Sequence, residues 1–447
     1  MGLYGYARDT MPAVGAFAET AVVFDNCVVP RGSTRPSYAS MLTGRYPFHH
    51  GTRTNGMVLH GDNVTLQEIL GSAGYHTAAF VSNFVLVGKL SGFNQGFDVY
   101  DDRVEDRERT RLNYERKAGN TVKAILEWLA SDPPQPFFLF TNFIDPHGPY
   151  DPPAKYRKLY RTNKIRILNH QQIPSYQRLE GQYNFFDYVD RYDAEIRYTD
   201  EAMGILIDEL KRKGLWDEAL VVFTADHGES FGEHGVFFEH HMHLWEETVR
   251  VPLAIRLPGS AVKHYAARPK RVQSLCSAMD LPQTLLAYLG LSPDVEFDGR
   301  NLLPLIGGTE QPGRMLLLEF PDLATITITV PDVYAVRSDT HKLVRQLDPN
   351  TGQLQDQAVF HVAADPLERK PIPFDAQDPL HRTLADEFDS VMAQVRDYKL
   401  PFTLTVYHMP FKTRDKFVKR RQQAPKTIVK TLTAEQAERL RQLGYTQ

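Results

Sequence analysis

The chain has 447 residues, 42% of them hydrophobic and 24% charged, and a formal net charge of −4. This length predicts two unequal domains with a sizeable core, and the charge leaves no basic footprint for nucleic acid. The only cysteines, Cys27 and Cys276, exclude a disulfide framework, and no apolar run approaches the roughly 18–20 residues of a transmembrane segment.

In chain order, a turn (GYARDT) leads to a helix over Met11–Glu19. From Ser37 a helical pattern runs to Gly44, where glycine suits a C-terminal stop. Thr65-Leu-Gln-Glu is a capping box. Its helix ends near Gly71–Gly74, and the strand Thr77–Val81 follows. Val122, Ile125, Leu126 and Leu129 make 120–129 amphipathic, and Phe137–Phe140 is a short buried strand. The polar stretch 156–182 reads as a surface excursion. A helix over Asp193–Lys213 precedes strands at Leu220–Phe223 and Pro252–Leu257. Another helix, capped by Asp280, runs to Leu289. The alternation predicts an α/β layer fold with a mostly parallel sheet. After Gly307-Gly308, Met315–Phe320, Thr325–Val330, Val333–Val336 and Lys342–Arg345 read as a smaller antiparallel sheet. A capped helix closes the chain, with Thr433 and Gln436 as its box. The expected units are 1–310 and 311–447.

Two stretches carry chemistry. Asp226-His227-Gly228 follows the strand pattern VVFTA, so both side chains fall at the carboxyl end of a sheet strand. A carboxylate beside an imidazole suits a divalent cation. The bland alternative is a strand-end turn. Thr34 falls just before a helix N-terminus, where amides and dipole favour an anion. A hydroxyl bound to metal becomes a nucleophile. The alternative is that Thr34 or Ser37 merely caps the helix.

Thr34-Arg35-Pro36-Ser37, Leu42-Thr43-Gly44-Arg45 and His50-Gly51 resemble the signature of the sulfatase family in the alkaline phosphatase superfamily. Further segments agree in order: GYHTAAFVS, QGFDVYDD, FFLFTNFIDPHGPYDPP, YDAEIRYTDEAMG, VVFTADHGESFGEHG, WEETVRVPLAIRLPG, DGRNLLPLI and LRQLGY. The resemblance implies an alkaline-phosphatase-like α/β/α sandwich with a smaller C-terminal antiparallel-sheet subdomain. It implies hydrolysis of sulfate or phosphate esters of small molecules, glycans or lipids. Thr34 then falls at the nucleophile, with Arg35 beside it as a substrate contact. Asp226 and His227, with Thr34, fall at the metal, expected as one divalent ion (calcium, magnesium, manganese or zinc) with a second conceivable. Asn55 matches an asparagine holding a non-bridging oxygen, and His147 a histidine that protonates the leaving group. His240, His241 and His243 fall where the family places a lysine or histidine at the anion or metal; His241 is favoured.

This chain departs from the family pattern in three ways. Threonine cannot yield the formylglycine of the usual sulfatases, so none is expected. Tyr38 stands where the family has a following arginine, and uncharged Ser82–Val85 replace a Lys-Trp-His. Fewer cations point toward phosphodiesterase and phosphotransferase branches and a singly charged diester; a non-catalytic binding protein keeping the fold is the other reading. Finally, the family opens with a strand ending in metal-binding aspartates ahead of the segment matching GLYGYARDTMP, and Met1 is read as an internal methionine. Asp193 and Asp200 are read as a solvated helix face. No signal peptide opens the sequence, making cytoplasm the default compartment; oligomeric state is not indicated.

Overall fold

The computed structural model describes residues 1–397 apart from 105, 108–113, 241–242, 263–269, 310–312, 322–331 and 350. The strand expected at Thr325–Val330, the closing helix and His241 lie outside the described residues.

Val22–Val28 is the hub of one sheet. It pairs in parallel with Arg271–Val272 and Cys276–Ser277. It pairs antiparallel with Arg250–Arg256, which in turn pairs antiparallel with Val221–Thr224. Cys27 lies in register with Cys276, and both thiols are buried and free. A second sheet holds His76–Phe80 in parallel between Val99–Asp101 and Phe137–Thr141. The expected mostly parallel order fails at Arg250–Arg256. The chain leaves the sheet after Thr224 and returns through the short helix Glu246–Val249 straight into Arg250. No crossover carries it to the far end, so it re-enters running backwards.

The strands Phe137–Thr141 and Val221–Thr224 are not paired with each other. They face one another across a cavity of about 900 Å³. Every residue of both strands is only half-buried. Ile196, Met203 and Leu206 of the helix Phe185–Arg212 also line the cavity, as do Met41, Leu42, Leu281 and Leu285.

Local signals explain the helix ends. Thr65 and Glu68 form the expected box before Leu66–Ser72. Asn184 starts the long helix well before Asp193, its Oδ1 accepting from Phe186 N–H. Asp193 and Asp200 correct the solvated reading, for both are buried. Asp193 accepts from Tyr6 and Arg8, and Asp200 accepts from the amides of Ala13 and Val14 at the start of the helix Pro12–Ala18.

The C-terminal sheet runs Leu316–Phe320, Asp332–Arg337, Lys342–Leu347, Leu354–Phe360, all antiparallel. Its apolar face (Leu317, Val336, Leu343, Val359) packs on Leu384, Phe388 and Met392 of the helix Pro379–Asp397. Buried ion pairs join this sheet to the larger layer, Arg53 with Glu319 and Lys342 with Glu246; Lys342 also pairs with Glu368 within the C-terminal unit.

Candidate functional site

Thr34 opens the helix Thr34–Thr43, after Ser33 in an extended conformation. It is buried, and its Oγ1 has no hydrogen-bond partner. An unmet buried hydroxyl marks a place where a ligand or ion belongs. Thr34 lines the same cavity as Asn142, His147, Asp226, His227 and Glu229. Both strands, Phe137–Thr141 and Val221–Thr224, line this cavity with Thr34.

The expected bed of helix N-terminal amides is largely spent. Arg35 N–H donates to Asn55 Oδ1 at 2.7 Å, Pro36 has no N–H, and Ser37 N–H closes on the Ser33 carbonyl. Anion contacts here must come mainly from side chains. Asn55 is buried, and with its oxygen occupied by Arg35, its Nδ2 is the side chain's donor. Arg35 itself turns inward: its guanidinium donates to the carbonyls of Val85 and Met57.

The Asp226-His227-Gly228 turn depends on its glycine. A Cβ at Gly228 would lie 2.0 Å from the Glu247 carbonyl oxygen, so the backbone approaches too closely for any side chain. His227 Nδ1 lies 2.8 Å from the Gly228 carbonyl. A carbonyl only accepts, so Nδ1 carries the proton and Nε2 keeps a lone pair. That Nε2 lies 3.4 Å from Asp226 Oδ2. His147 is held likewise, Nδ1–H donating to the Gly148 carbonyl at 2.8 Å.

His240 completes a row of imidazoles. Its ring stacks on His227 at 3.9 Å and meets His147 at 5.7 Å. Beneath them lies Glu229, a buried carboxyl 3.2 Å from His240 Nδ1 that also accepts from Tyr150 Oη. Burial pushes Glu229 up to about 8, with the charge of His227 opposing. Burial, then His227, holds His240 well below the ordinary imidazole range. His243 is half-buried, its pKa lowered by burial, and is not among the residues lining this cavity. Tyr38 is buried: Asn142 Nδ2 donates to its Oη, and burial, then Asp226, raises its pKa well above the usual range. Asn83 is tied up locally, its Oδ1 accepting from Val85 N–H.

The donor set fits a divalent cation in part. Asp226, His227 with Nε2 as acceptor, and the unmet Thr34 Oγ1 are apt ligands. Among the described residues no group of three or more His, Cys, Asp or Glu forms a complete set.

Sequence reasoning missed Glu229, Tyr150 and Asn142. Glu229 directly follows the recognised turn, but only the fold shows that it is buried under the histidines.

A family model described as Sulfatase matches residues 1–291, and one described as N-sulphoglucosamine sulphohydrolase, C-terminal, matches 232–397. The chain is 27% identical to an ulvan-active sulfatase of Formosa agariphila over 93% of this chain and 81% of that one. It is 27% identical to a choline-sulfatase of Rhizobium meliloti over 86% and 81%. In fold it is similar to a phosphonate monoester hydrolase of Agrobacterium radiobacter, with TM-score 0.71 and 20% identity over 88% of this chain and 93% of that chain.

Proposed function

The chain belongs to the sulfatase family, a family of ester hydrolases with an alkaline-phosphatase-like fold, and from that premise we propose that it cleaves sulfate or phosphate esters through Thr34. The observation that carries this reading is the buried, partnerless Thr34 Oγ1 lining one cavity with Asp226, His227 and His147.

Asp226, His227 and Thr34 would hold one divalent ion, which when bound would polarise the ester and lower the pKa of the hydroxyl. Thr34 Oγ1 forms a bond to sulfur or phosphorus and releases its proton to water. The bond to the departing oxygen breaks. That oxygen takes a proton from His147 acting as the imidazolium: Nδ1–H stays on the Gly148 carbonyl and the Nε2 proton is the one given up. Asn55 Nδ2 donates to a non-bridging oxygen as charge builds there. His240, held by Glu229, stacks on His227. Water then cleaves the Thr34 ester and restores the hydroxyl. Threonine needs no conversion to formylglycine for this path.

A singly charged diester is the favoured phosphate substrate, because neutral Tyr38 and Asn83 stand where more cations are expected. Glycan, lipid and small-molecule esters all remain within the class. Turnover of 4-nitrophenyl sulfate and bis(4-nitrophenyl) phosphate, each with calcium, magnesium, manganese or zinc supplied in turn, tests the reading. Metal-stimulated release of nitrophenol from either ester supports it. An inert protein that takes up no metal would be a binding protein on the same fold. Added alcohol that diverts product into a new ester would mark a phosphotransferase.

A further inference from the structure

Arg31 lies three residues before Thr34 and has no role in the scheme above. It is only 5% exposed. Its Nε and Nη1 are buried and have no hydrogen-bond partner. Its guanidinium sits over the Phe320 ring at 4.8 Å. The carboxylate nearest in sequence to that ring, Glu319, is already held by two bonds from Arg53, at 2.7 and 3.1 Å. Burial lowers Arg31 to about 10, with Glu319 opposing and Arg53 adding to the fall, so the group stays charged at neutral pH. A buried cation with unmet donors is costly unless an anion meets it.

Pro30 carbonyl accepts from Glu319 N–H, and Ser33 N–H donates to the Arg31 carbonyl. A Cβ at Gly32 would lie 3.0 Å from the His240 carbonyl oxygen. Arg31 therefore stands at the seam where the C-terminal sheet meets the Thr34 loop. Three residues span at most about 10 Å, roughly the width of a substituted sugar ring. Guanidinium forks match carboxylate and sulfate oxygens in pairs.

We propose that Arg31 recognises a second acidic group, a carboxylate or a further sulfate, on the organic part of the ester cleaved at Thr34. This rests on the ester-hydrolase reading and narrows the substrate to polyanionic esters, such as acidic or multiply sulfated sugars. The pairing of one ester at Thr34 with one oxyanion at Arg31 sets the substrate's orientation.

Two arms test it. In the first, kcat/KM is measured for 4-nitrophenyl sulfate and for the sulfated 4-nitrophenyl glycoside of glucuronic acid. R31Q should lower the ratio of the acidic to the neutral ester at least tenfold, chiefly through KM, and R31K should recover part of it. In the second, sodium glucuronate is added to wild type and R31Q during thermal unfolding. It should raise the wild-type Tm and leave that of R31Q in place; R31K serves if R31Q fails to fold. An unchanged ratio, or a glucuronate shift that is equal or absent in both proteins, overturns the proposal. If neither ester is cleaved, the hydrolase reading fails by itself, while the glucuronate arm still decides whether Arg31 binds an acid.

Discussion

His227 and His240 lie ring over ring, centroids 3.9 Å apart and planes within 14°. Burial, then the neighbouring His227, lowers the pKa of His240. Each is fixed from its Nδ1 side by a different neighbour: His227 by the Gly228 carbonyl and His240 by Glu229. The site's polarity is thus set by groups beneath it as much as by the groups facing the ester.

Glu229 is expected to act by positioning His240. Its raised pKa makes the carboxyl largely neutral at pH 7, so a carboxamide reproduces its shape and its accepting oxygen. E229Q should therefore keep most of the activity. E229A should lose about 10–100-fold, mainly in kcat. Steady-state kinetics on both variants check this; equal losses in the two would remove the positioning role.

Asn55 accepts from the Arg35 amide, and in the proposed reaction its Nδ2 donates to the ester. An aspartate there still accepts from Arg35 N–H but loses the Nδ2 donor and repels the ester. N55D should reduce kcat/KM by about 10²-fold or more while leaving Tm close to wild type. Kinetics together with thermal unfolding separate this from misfolding.

His50 gives the protein an acid-sensitive site away from the chemistry. It is buried, its Nδ1 accepts from Thr52 N–H, and burial, then Arg45, lowers it to about 3. The folded pKa is depressed, and this group is cationic when protonated, so the unfolded chain takes up the proton first. Stability from His50 is complete above about pH 6.5 and falls as pH drops toward 3, by about 2 kcal/mol at pH 5. Urea titrations at pH 7 and pH 5 should show a smaller acid loss in H50Q than in wild type.

Lys342 is wholly buried between two carboxylates, with Nζ at 2.6 Å from Glu368 and 3.2 Å from Glu246. It also donates to the Leu244 carbonyl. Substitution by methionine leaves buried Glu368 without its cation, while Glu246 keeps Arg337, so K342M should cost about 3 kcal/mol of stability. Chemical denaturation measures it, and a loss below about 1 kcal/mol would show that the acids find other partners.

Much of this was legible in the sequence because it is local. The capping box at Thr65, the strand before Asp226 and the glycine after His227 are written in neighbouring residues. The antiparallel return at Arg250–Arg256 was not, since hydrophobic runs do not state direction. Asp193 and Asp200 were misread because a charged residue on a helix looks solvated until its partners, Arg8 and the amides of Ala13 and Val14, are brought in from far along the chain. The edge strand Leu354–Phe360 escaped notice because its first half, Leu-Gln-Asp, is exposed and polar. Of the residues named from motif positions, Thr34, His147, Asp226 and His227 line one cavity, while Asn55 is reached through the Arg35 amide. The inward turn of Arg35 and the burial of Glu229 are tertiary facts with no local trace.

The most direct measurement is turnover by T34A against wild type on the better of the two nitrophenyl esters, with the divalent ion that best supports activity. Mass spectrometry of acid-quenched wild type accompanies it, searching for an ester on residue 34. Loss of about 10³-fold or more in kcat and a sulfated or phosphorylated Thr34 in the wild type are expected. A T34A protein that turns over at the wild-type rate would contradict a threonine nucleophile.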